Sequence, residues 1–195
     1  MLAPGVGWTA DLSGFMGHPR TRFPLKAWTH GLSLSNDATT RAIRHALDDW
    51  NALTLEVLGI RAFEIVDERE RADIIISVGA RPAPRQSLGQ AGVSAGPDDV
   101  IRLPIHIQVF RSTPLYEDSL DPGLALYYVL AHELGHALGL PHVRDPHSVM
   151  CCVDRGDLGD DIRWAQRKHA LQASDLSPVR EQLGEHYGRF WGIDR

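Results

Sequence analysis

The chain has 195 residues and a mass of 21.6 kDa, which suits one domain that buries about 70% of the surface exposed by its unfolded chain. Hydrophobic residues make up 43% and charged residues 23%, the balance of a folded soluble protein rather than of a disordered or fibrous one. With a net charge of −5, no run of basic residues and no apolar stretch longer than eight residues, the chain predicts neither a nucleic-acid partner nor a membrane span.

Glycine and proline are frequent in the first 24 residues, which predicts an irregular N-terminal arm over 1–24 ahead of one domain over 25–195. The arm lacks the charged start and the apolar core of a signal peptide, so a cytoplasmic location stays open. A first helix is expected from about Asp37 to Leu53, capped by Ser35 or Asn36, because apolar residues recur there at three- and four-residue spacing.

The remaining elements follow from local patterns. Strands are expected at 62–66, 72–78 and 100–110, where apolar residues are continuous or alternate with polar ones. A long helix is predicted from Asp121-Pro122 to Ala137, and a final helix over 175–187. Since the strands come first and the helices mostly later, the order favours an α+β fold.

The two cysteines, Cys151 and Cys152, are neighbours in the chain. One trans peptide bond holds their Cα atoms about 3.8 Å apart, which is short of the separation that disulfide geometry favours. We therefore expect these cysteines to stay unbridged, so that they give no information about the cellular compartment.

The most informative segment reads His132-Glu-Leu-Gly-His-Ala-Leu-Gly-Leu-Pro-His142. Residues four apart on a helix share one face, so His132 and His136 can bind one Zn²⁺ at about 2.0–2.1 Å each. Glu133 lies further round the helix, where it flanks the metal without ligating it and can take a proton from an activated water.

The sequence also predicts where this helix ends. Gly139 in the left-handed conformation, followed by Pro141, predicts a sharp stop that returns His142 as a third ligand. Three protein ligands and an open fourth position are typical of a catalytic zinc rather than a structural one. The alternative is a buried helix whose histidines form hydrogen bonds within the core.

The segment resembles the zinc signature of the metzincins, H-E-x-x-H-x-x-G-x-x-H, which are zinc endopeptidases. Ser148-Val149-Met150 resembles their Met-turn, and its distance from the third histidine is similar to that in the matrixins. The ADIIISV segment (72–78) and the Gly-Ala-rich segment 88–94 also resemble parts of a matrixin catalytic domain. The resemblance therefore covers about 28–188. It implies a zincin-like α+β fold with a twisted mixed sheet.

Further features follow from the same resemblance. It implies two long helices in an upper lobe, a cleft near 139–142, and a small lower lobe carrying the Met-turn and a C-terminal helix. Met150 would form an apolar floor beneath the metal. An extended peptide substrate would pair with an exposed strand edge formed by Gly89, Gln90, Ala91, Gly92, Val93 and Ser94. The resemblance implies a secreted protein, and a monomer is the default expectation.

The chain also departs from the matrixin pattern. Between Gly79 and Leu120 it has a single histidine, His106, and it lacks the His/Asp-rich motif that holds a structural zinc and calcium in matrix metalloproteinases. We expect one catalytic zinc and no structural zinc, and calcium is doubtful. Cys151 and Cys152 follow the Met-turn, at positions where matrixins have residues that line the specificity pocket. The side-chain preference of matrixins therefore cannot be assumed for this chain.

The other histidines show no ligand spacing and are expected to be surface or capping residues: His30, His45, His147, His169 and His186. The sequence thus predicts a zinc-dependent endopeptidase in which a metal-activated water cleaves peptide bonds with Glu133 as general base. Two alternatives stay open. One is a non-catalytic module that binds peptides in a zinc-dependent way, and the other is a narrow-specificity metzincin outside the matrixins.

Overall fold

The structure is a computed structural model that describes residues 15–30, 37–80, 89–111, 122–145, 147–151 and 176–192. Short 3-10 helices cover Arg20–Arg22, Arg69–Arg71 and Ser177–Val179. The longer elements are, in chain order, β1 (Leu25–Thr29), α1 (Ala38–Leu58), β2 (Phe63–Ile65), β3 (Ile74–Ala80), β4 (Gly89–Gly92), β5 (Ile105–Arg111), α2 (Pro122–Ala137) and α3 (Arg180–Phe190).

The strands form one five-stranded mixed sheet in the order β2-β1-β3-β5-β4. The first four strands of that order pair in parallel, and β4 alone pairs antiparallel, with Gly89 opposite Val109 and Gly92 opposite His106. The sheet therefore places β4 at one edge and β2 at the other. Connections between parallel neighbours need long crossovers, and α1 supplies the crossover between β1 and β2.

The two long helices, α1 and α2, pack against each other, and α2 also packs against β4 and β5. Trp50, which is fully buried on α1, donates its indole N–H to the carbonyl oxygen of Ala131 on α2 over 2.9 Å. This bond satisfies the polar end of a large buried side chain. The predicted α+β fold with a mixed sheet and two long helices is confirmed.

Helix α1 begins close to its predicted start but runs further. Asp37 is the N-cap, and its side chain accepts a hydrogen bond from Thr40 N over 2.8 Å, so the predicted caps Ser35 and Asn36 are wrong. The helix continues to Leu58 and ends where Gly59 adopts a left-handed φ of 66°. A glycine in that conformation is a common helix stop, and the predicted end at Leu53 missed it.

The strand predictions were close for β2 and β3 and less accurate elsewhere. The predicted strand 100–110 is shorter, since β5 begins at Ile105, and Val100 and Ile101 form isolated bridges instead. Strand β1 was not predicted. The final helix begins at Arg180 rather than near 175, behind a 3-10 turn that contains Pro178.

The expectation for the cysteines is wrong. Cys151 is buried and disulfide-bonded, and Cys152, the one other cysteine of the chain, lies outside the described residues. A Cα separation below the usual range disfavours a disulfide without excluding one.

The N-terminal arm can be followed from Phe15 onward, and its first 14 residues lie outside the described residues. Gly17 forms a parallel bridge with Val100: its N–H donates to Asp99 O over 3.1 Å, and its carbonyl oxygen accepts from Ile101 N over 2.9 Å. This part of the arm is thereby fixed to the segment ahead of β5. The domain boundary at residue 24 stays a prediction.

Candidate metal centre and active site

Three histidine side chains converge at the end of α2. His132 and His136 lie one turn apart on the helix, as predicted, and His142 returns from the loop that follows. Their three Nε2 atoms are 3.0 Å from one another in every pair. Among the described residues, these three form the one group of His, Cys, Asp or Glu side chains arranged to hold a metal ion.

Hydrogen bonds fix the tautomers of two of these rings. His132 donates its Nδ1 proton to Val149 O over 2.7 Å, and His136 donates its Nδ1 proton to Leu140 O over 2.9 Å. Burial first, and then the charge of His142, lower the pKa of His136 to about 4, so its ring is neutral at pH 7. In a neutral ring with a protonated Nδ1, the Nε2 atom carries a lone pair and no proton.

The short distances between the Nε2 atoms are therefore not explained by hydrogen bonds from His132 and His136. Lone pairs that point toward one another repel, and a cation placed among them turns this repulsion into coordination. A zinc ion about 2 Å from each nitrogen fits a triangle of this size, and neutral imidazole is a ligand that zinc prefers. Carbonyl oxygens that bind the far ring nitrogens are the usual outer partners of such ligands.

The turn after α2 explains how His142 returns. Gly139 has a φ of 88°, which confirms the predicted left-handed conformation. Its N–H donates to His136 O over 2.8 Å, and the N–H of Leu140 donates to Gly135 O over 3.0 Å. These bonds end the helix within one residue, so that His142, six positions after His136, points back at the same centre.

The predicted Met-turn lies directly under this centre. Met150 is fully buried, and its N–H donates to Ser148 Oγ over 3.1 Å while its carbonyl oxygen accepts from Val143 N over 3.0 Å. The turn is thus tied to the residue after the third histidine. Its Val149 carbonyl also holds His132. The backbone of this segment thus holds a histidine ring and is tied to the residue after His142, and the role of Met150 as a Met-turn residue stays a prediction.

Glu133 is buried beside the histidines, with 6% of its surface exposed. Burial raises the pKa of its carboxyl to about 8, and a hydrogen bond with the backbone of Ala91 opposes the rise. A Cβ added to Gly89 would lie 2.6 Å from Glu133 Oε1 and 2.6 Å from Val129 Cγ1. Strand β4 therefore approaches α2 so closely that the carboxylate and the strand backbone are neighbours.

The six residues of the predicted substrate edge lie where β4 borders the site. Gly89, Gln90, Gly92 and Val93 are partly buried, Ala91 is buried and Ser94 is exposed. Their strand pairs with β5 on one side and forms the edge of the described sheet on the other. The structure thus brings this edge, Glu133 and the three histidines together.

Sequence reasoning missed a group of side chains that hold the turn between His136 and His142. His18 donates from Nε2 to Ala137 O over 2.9 Å, Tyr187 from its hydroxyl to Leu138 O over 2.9 Å, and Gln182 from Nε2 to Pro141 O over 2.7 Å. No local spacing could have found them, because they come from the N-terminal arm and from α3.

His186 was also predicted wrongly. It was expected at the surface but is 4% exposed, and it donates from Nε2 to Met16 O over 2.9 Å. His186 lies on the side of α3 that faces the N-terminal arm. The sequence pattern of the helix alone does not indicate this contact. His30, His45 and His147 are exposed, as predicted, and His169 lies outside the described residues.

These features match the site pattern of the metzincin class: a His-Glu-x-x-His helix lies beside an edge strand, a third histidine follows a glycine turn, and a buried methionine packs against the helix. The sequence model of the matrixins matches residues 22–179. The chain therefore belongs to the matrixin family, whose members are zinc metalloendopeptidases.

Individual relatives agree with this assignment. The chain is 29% identical over 192 residues to stromelysin-2 of Rattus norvegicus, a match covering 92% of this chain and 36% of the relative. It is 45% identical over 62 residues to matrix metalloproteinase-17 of Homo sapiens, covering 31% and 10%. It is 32% identical over 76 residues to matrilysin of Rattus norvegicus, covering 39% and 26%. The chain thus spans about a third of the length of these relatives or less.

None of the helices within the described residues has the length and apolarity needed to cross a membrane.

Proposed function

We propose that this chain is a zinc-dependent endopeptidase in which His132, His136 and His142 hold one catalytic zinc and Glu133 is the general base. The convergence of three Nε2 atoms, each 3.0 Å from the other two, carries the proposal. The hydrogen bonds from Nδ1 of His132 to Val149 O and from Nδ1 of His136 to Leu140 O support it, because they orient both rings with Nε2 toward the common centre.

The chemistry divides between the metal and the protein. A zinc ion at this centre supplies Lewis-acid activation of water and neutralises negative charge that develops on the peptide carbonyl. Glu133 accepts the proton of the attacking water and passes it to the leaving amine. Burial raises the pKa of this carboxyl in the site without a cation, and a cation held by the three histidines would lower this pKa and favour the carboxylate that a general base requires.

The substrate is proposed to lie extended along β4. Strand β4 is short and forms the sheet edge nearest Glu133, so a peptide that adds to this edge has its backbone beside the general base. Main-chain pairing would give affinity for many sequences, and a pocket near Met150 would set the side-chain preference. N-methylation of the substrate amides that pair with β4 should raise KM more than it lowers kcat.

The test compares three proteins on a diverse peptide library, with cleavage sites read by mass spectrometry. The wild type should cut, and Glu133→Ala should retain zinc but lose nearly all turnover. Glu64→Ala is the matched control, because Glu64 is an exposed glutamate on β2, at the opposite edge of the sheet. Cleavage by Glu133→Ala at the wild-type rate would show that the general-base assignment is wrong.

The same experiment separates the alternatives. A non-catalytic binding module would bind library peptides in a zinc-dependent way and leave them intact with all three proteins. A narrow-specificity protease would cut few peptides, and the cuts would disappear with Glu133→Ala. The family assignment argues against a metzincin outside the matrixins.

We further propose one zinc per chain, no structural zinc and no required calcium, with the chain acting as a monomer. Matrixins are typically secreted or extracellular, which supports an extracellular site of action. Metal analysis of the purified protein should give one zinc that disappears in His142→Ala. A second zinc that persists in this variant would contradict the proposed count.

A further inference from the structure

The turn between the second and third histidines is held by side chains from distant parts of the chain. The last carbonyls of an α-helix have no partner within the helix and need one from elsewhere. Here Ala137 O accepts from His18, Leu138 O accepts from Tyr187, and Pro141 O accepts from Gln182. His18 and Tyr187 both bind the backbone that connects His136 to His142.

His18 is a buried histidine whose ring donates one hydrogen bond. Its side chain is fully buried, and its Nδ1 atom has no hydrogen-bond partner within the part of the chain that the structure describes. Burial is the largest cause that lowers its pKa to about 4, so the ring is neutral and has one N–H at pH 7. That N–H goes to Ala137 O. A buried nitrogen without a partner is costly, and an apolar side chain would avoid this cost but could not bind the carbonyl.

The backbone of His18 is itself held firmly. Its carbonyl oxygen accepts from the indole N–H of Trp191 over 2.9 Å, and its ring meets that of Phe23 edge-on at 5.8 Å between centroids. The preceding residue, Gly17, is bonded to the segment 99–101 on its other side. The donor that reaches Ala137 is therefore anchored to α3 and to the chain ahead of β5.

Tyr187 completes the arrangement. Its ring is fully buried on α3, and its hydroxyl donates to Leu138 O over 2.9 Å. His18 and Tyr187 thus bind the carbonyls of two consecutive peptide units, the one before Leu138 and the one after it. Together they restrict the orientation of both peptide planes, and the left-handed turn at Gly139 follows directly after the second.

We propose that His18 and Tyr187 are positioning residues that preorganise His142 for zinc, by fixing the carbonyls of Ala137 and Leu138 at the end of α2. The inference rests on the proposed function, since it assumes that the three histidines bind zinc. If either donor is lost, a carbonyl is left unpaired and the turn can relax. His142 then has to be ordered at the moment of binding, which weakens the metal affinity.

The experiment measures the zinc dissociation constant by competition with a chromophoric chelator, and the visible spectrum of the Co²⁺-substituted protein. His18→Leu removes the donor, His18→Gln keeps an N–H donor on a flexible side chain, and Tyr187→Phe removes one hydroxyl. Ile74→Ala is the control, because it removes buried packing from β3 and leaves the turn untouched. Circular dichroism verifies that each variant is folded.

We expect zinc affinity to fall about tenfold or more in His18→Leu and Tyr187→Phe, the range found when partners of metal ligands are removed. The Co²⁺ spectrum should change in the same variants, His18→Gln should recover most of the affinity, and Ile74→Ala should bind zinc as the wild type does. Should His18→Leu not fold, His18→Met, whose flexible side chain adapts to the space, takes its place.

Zinc affinities in His18→Leu and Tyr187→Phe that match those of the wild type and Ile74→Ala would overturn the inference. An equal loss of zinc affinity in Ile74→Ala would also overturn the inference, because it would show that any loss of stability weakens zinc binding. A wild-type protein that binds no zinc would instead contradict the proposed function. The two failures are therefore distinct.

Discussion

Gly135 and Met150 are in direct contact beneath the candidate metal centre: a Cβ added to Gly135 would lie 2.2 Å from Met150 Sδ and 3.1 Å from Trp50 Cζ2. The helix that carries the histidines can therefore approach the Met-turn only because this position has no side chain. Glycine inside a helix costs about 1 kcal/mol relative to alanine. This loss of helix propensity allows Met150 to pack directly against the helix at Gly135, the residue that precedes His136.

Gly135→Ala should destabilise the protein in spite of its better helix propensity. The new methyl group overlaps the sulfur of Met150, and overpacking of this kind costs about 1–3 kcal/mol. Gly184→Ala on α3 is the matched control, because its Cβ would be 3.4 Å from Val57 Cγ1, an ordinary contact. Urea unfolding should show a loss for Gly135→Ala and no loss for Gly184→Ala. Equal stability of the two variants would argue against the packing account.

Gly89→Ala should reduce catalysis more than stability. A Cβ at this position of β4 would lie 2.6 Å from Glu133 Oε1, so the carboxylate has to move away from its present place. Gly79→Ala on β3 is the control, because its Cβ would meet nothing within 4 Å. We expect kcat to fall by about tenfold or more in Gly89→Ala, the size of effect typical of a displaced general base, with a smaller change in KM. A kcat like that of Gly79→Ala would contradict this coupling.

The elements that the sequence predicted best are those whose signal is local. The histidines of α2, the left-handed Gly139 and the Met-turn follow from short spacings, because the helical period and the glycine stop act over a few residues. Strand β1 has no such signal. Its five residues alternate between buried and partly buried, but so short an alternation is a weak signal, and its pairing with β2 and β3 cannot be read from the segment itself.

The donors around the turn illustrate the same limit. His18 is 119 positions from Ala137, and Tyr187 is 49 positions from Leu138, so their roles depend on the complete fold. His186 was misplaced for a related reason. Its position on α3 is indistinguishable in sequence from a surface position until the arm at Met16 covers it. Local chemistry located the candidate metal centre, and tertiary packing determined which side chains surround it.

His18 should also make stability depend on pH. Its pKa in the folded protein is about 4, lowered mainly by burial and further by Arg22 and His186, whereas Ala137 O and Asp73 oppose the shift. The ordinary histidine pKa of 6.5 applies to the unfolded chain, so below pH 6.5 the unfolded chain takes up a proton that the folded protein does not. The free energy of unfolding therefore falls as the pH drops, by about 2 kcal/mol from this group between pH 7.5 and 5.

The measurement is urea unfolding of the metal-free protein at both pH values, for the wild type and for His18→Gln. The remaining titratable groups are the same in both proteins, so their contributions cancel in the difference. The wild type should lose about 2 kcal/mol more than His18→Gln on acidification. An equal loss in both proteins would mean that His18 is not the buried neutral histidine described above.

Gly139→Ala should weaken metal binding rather than simply destabilise the fold. The position has a φ of 88°, and a Cβ there would lie 2.1 Å from Met16 O and 3.1 Å from His186 Nε2. The substitution therefore both strains the turn and pushes the arm away from it. Gly192→Ala is the control, since it has a similar left-handed φ of 68° but meets nothing within 4 Å.

Both alanine variants should bear the strain of a left-handed φ, about 1–2 kcal/mol. We expect only Gly139→Ala to lose zinc affinity as well, because its clash acts on the segment that returns His142 to the other two histidines. The check is chelator competition on both proteins after their stabilities have been measured. If Gly139→Ala binds zinc as tightly as Gly192→Ala, the contact between the arm and the turn has no part in forming the metal centre.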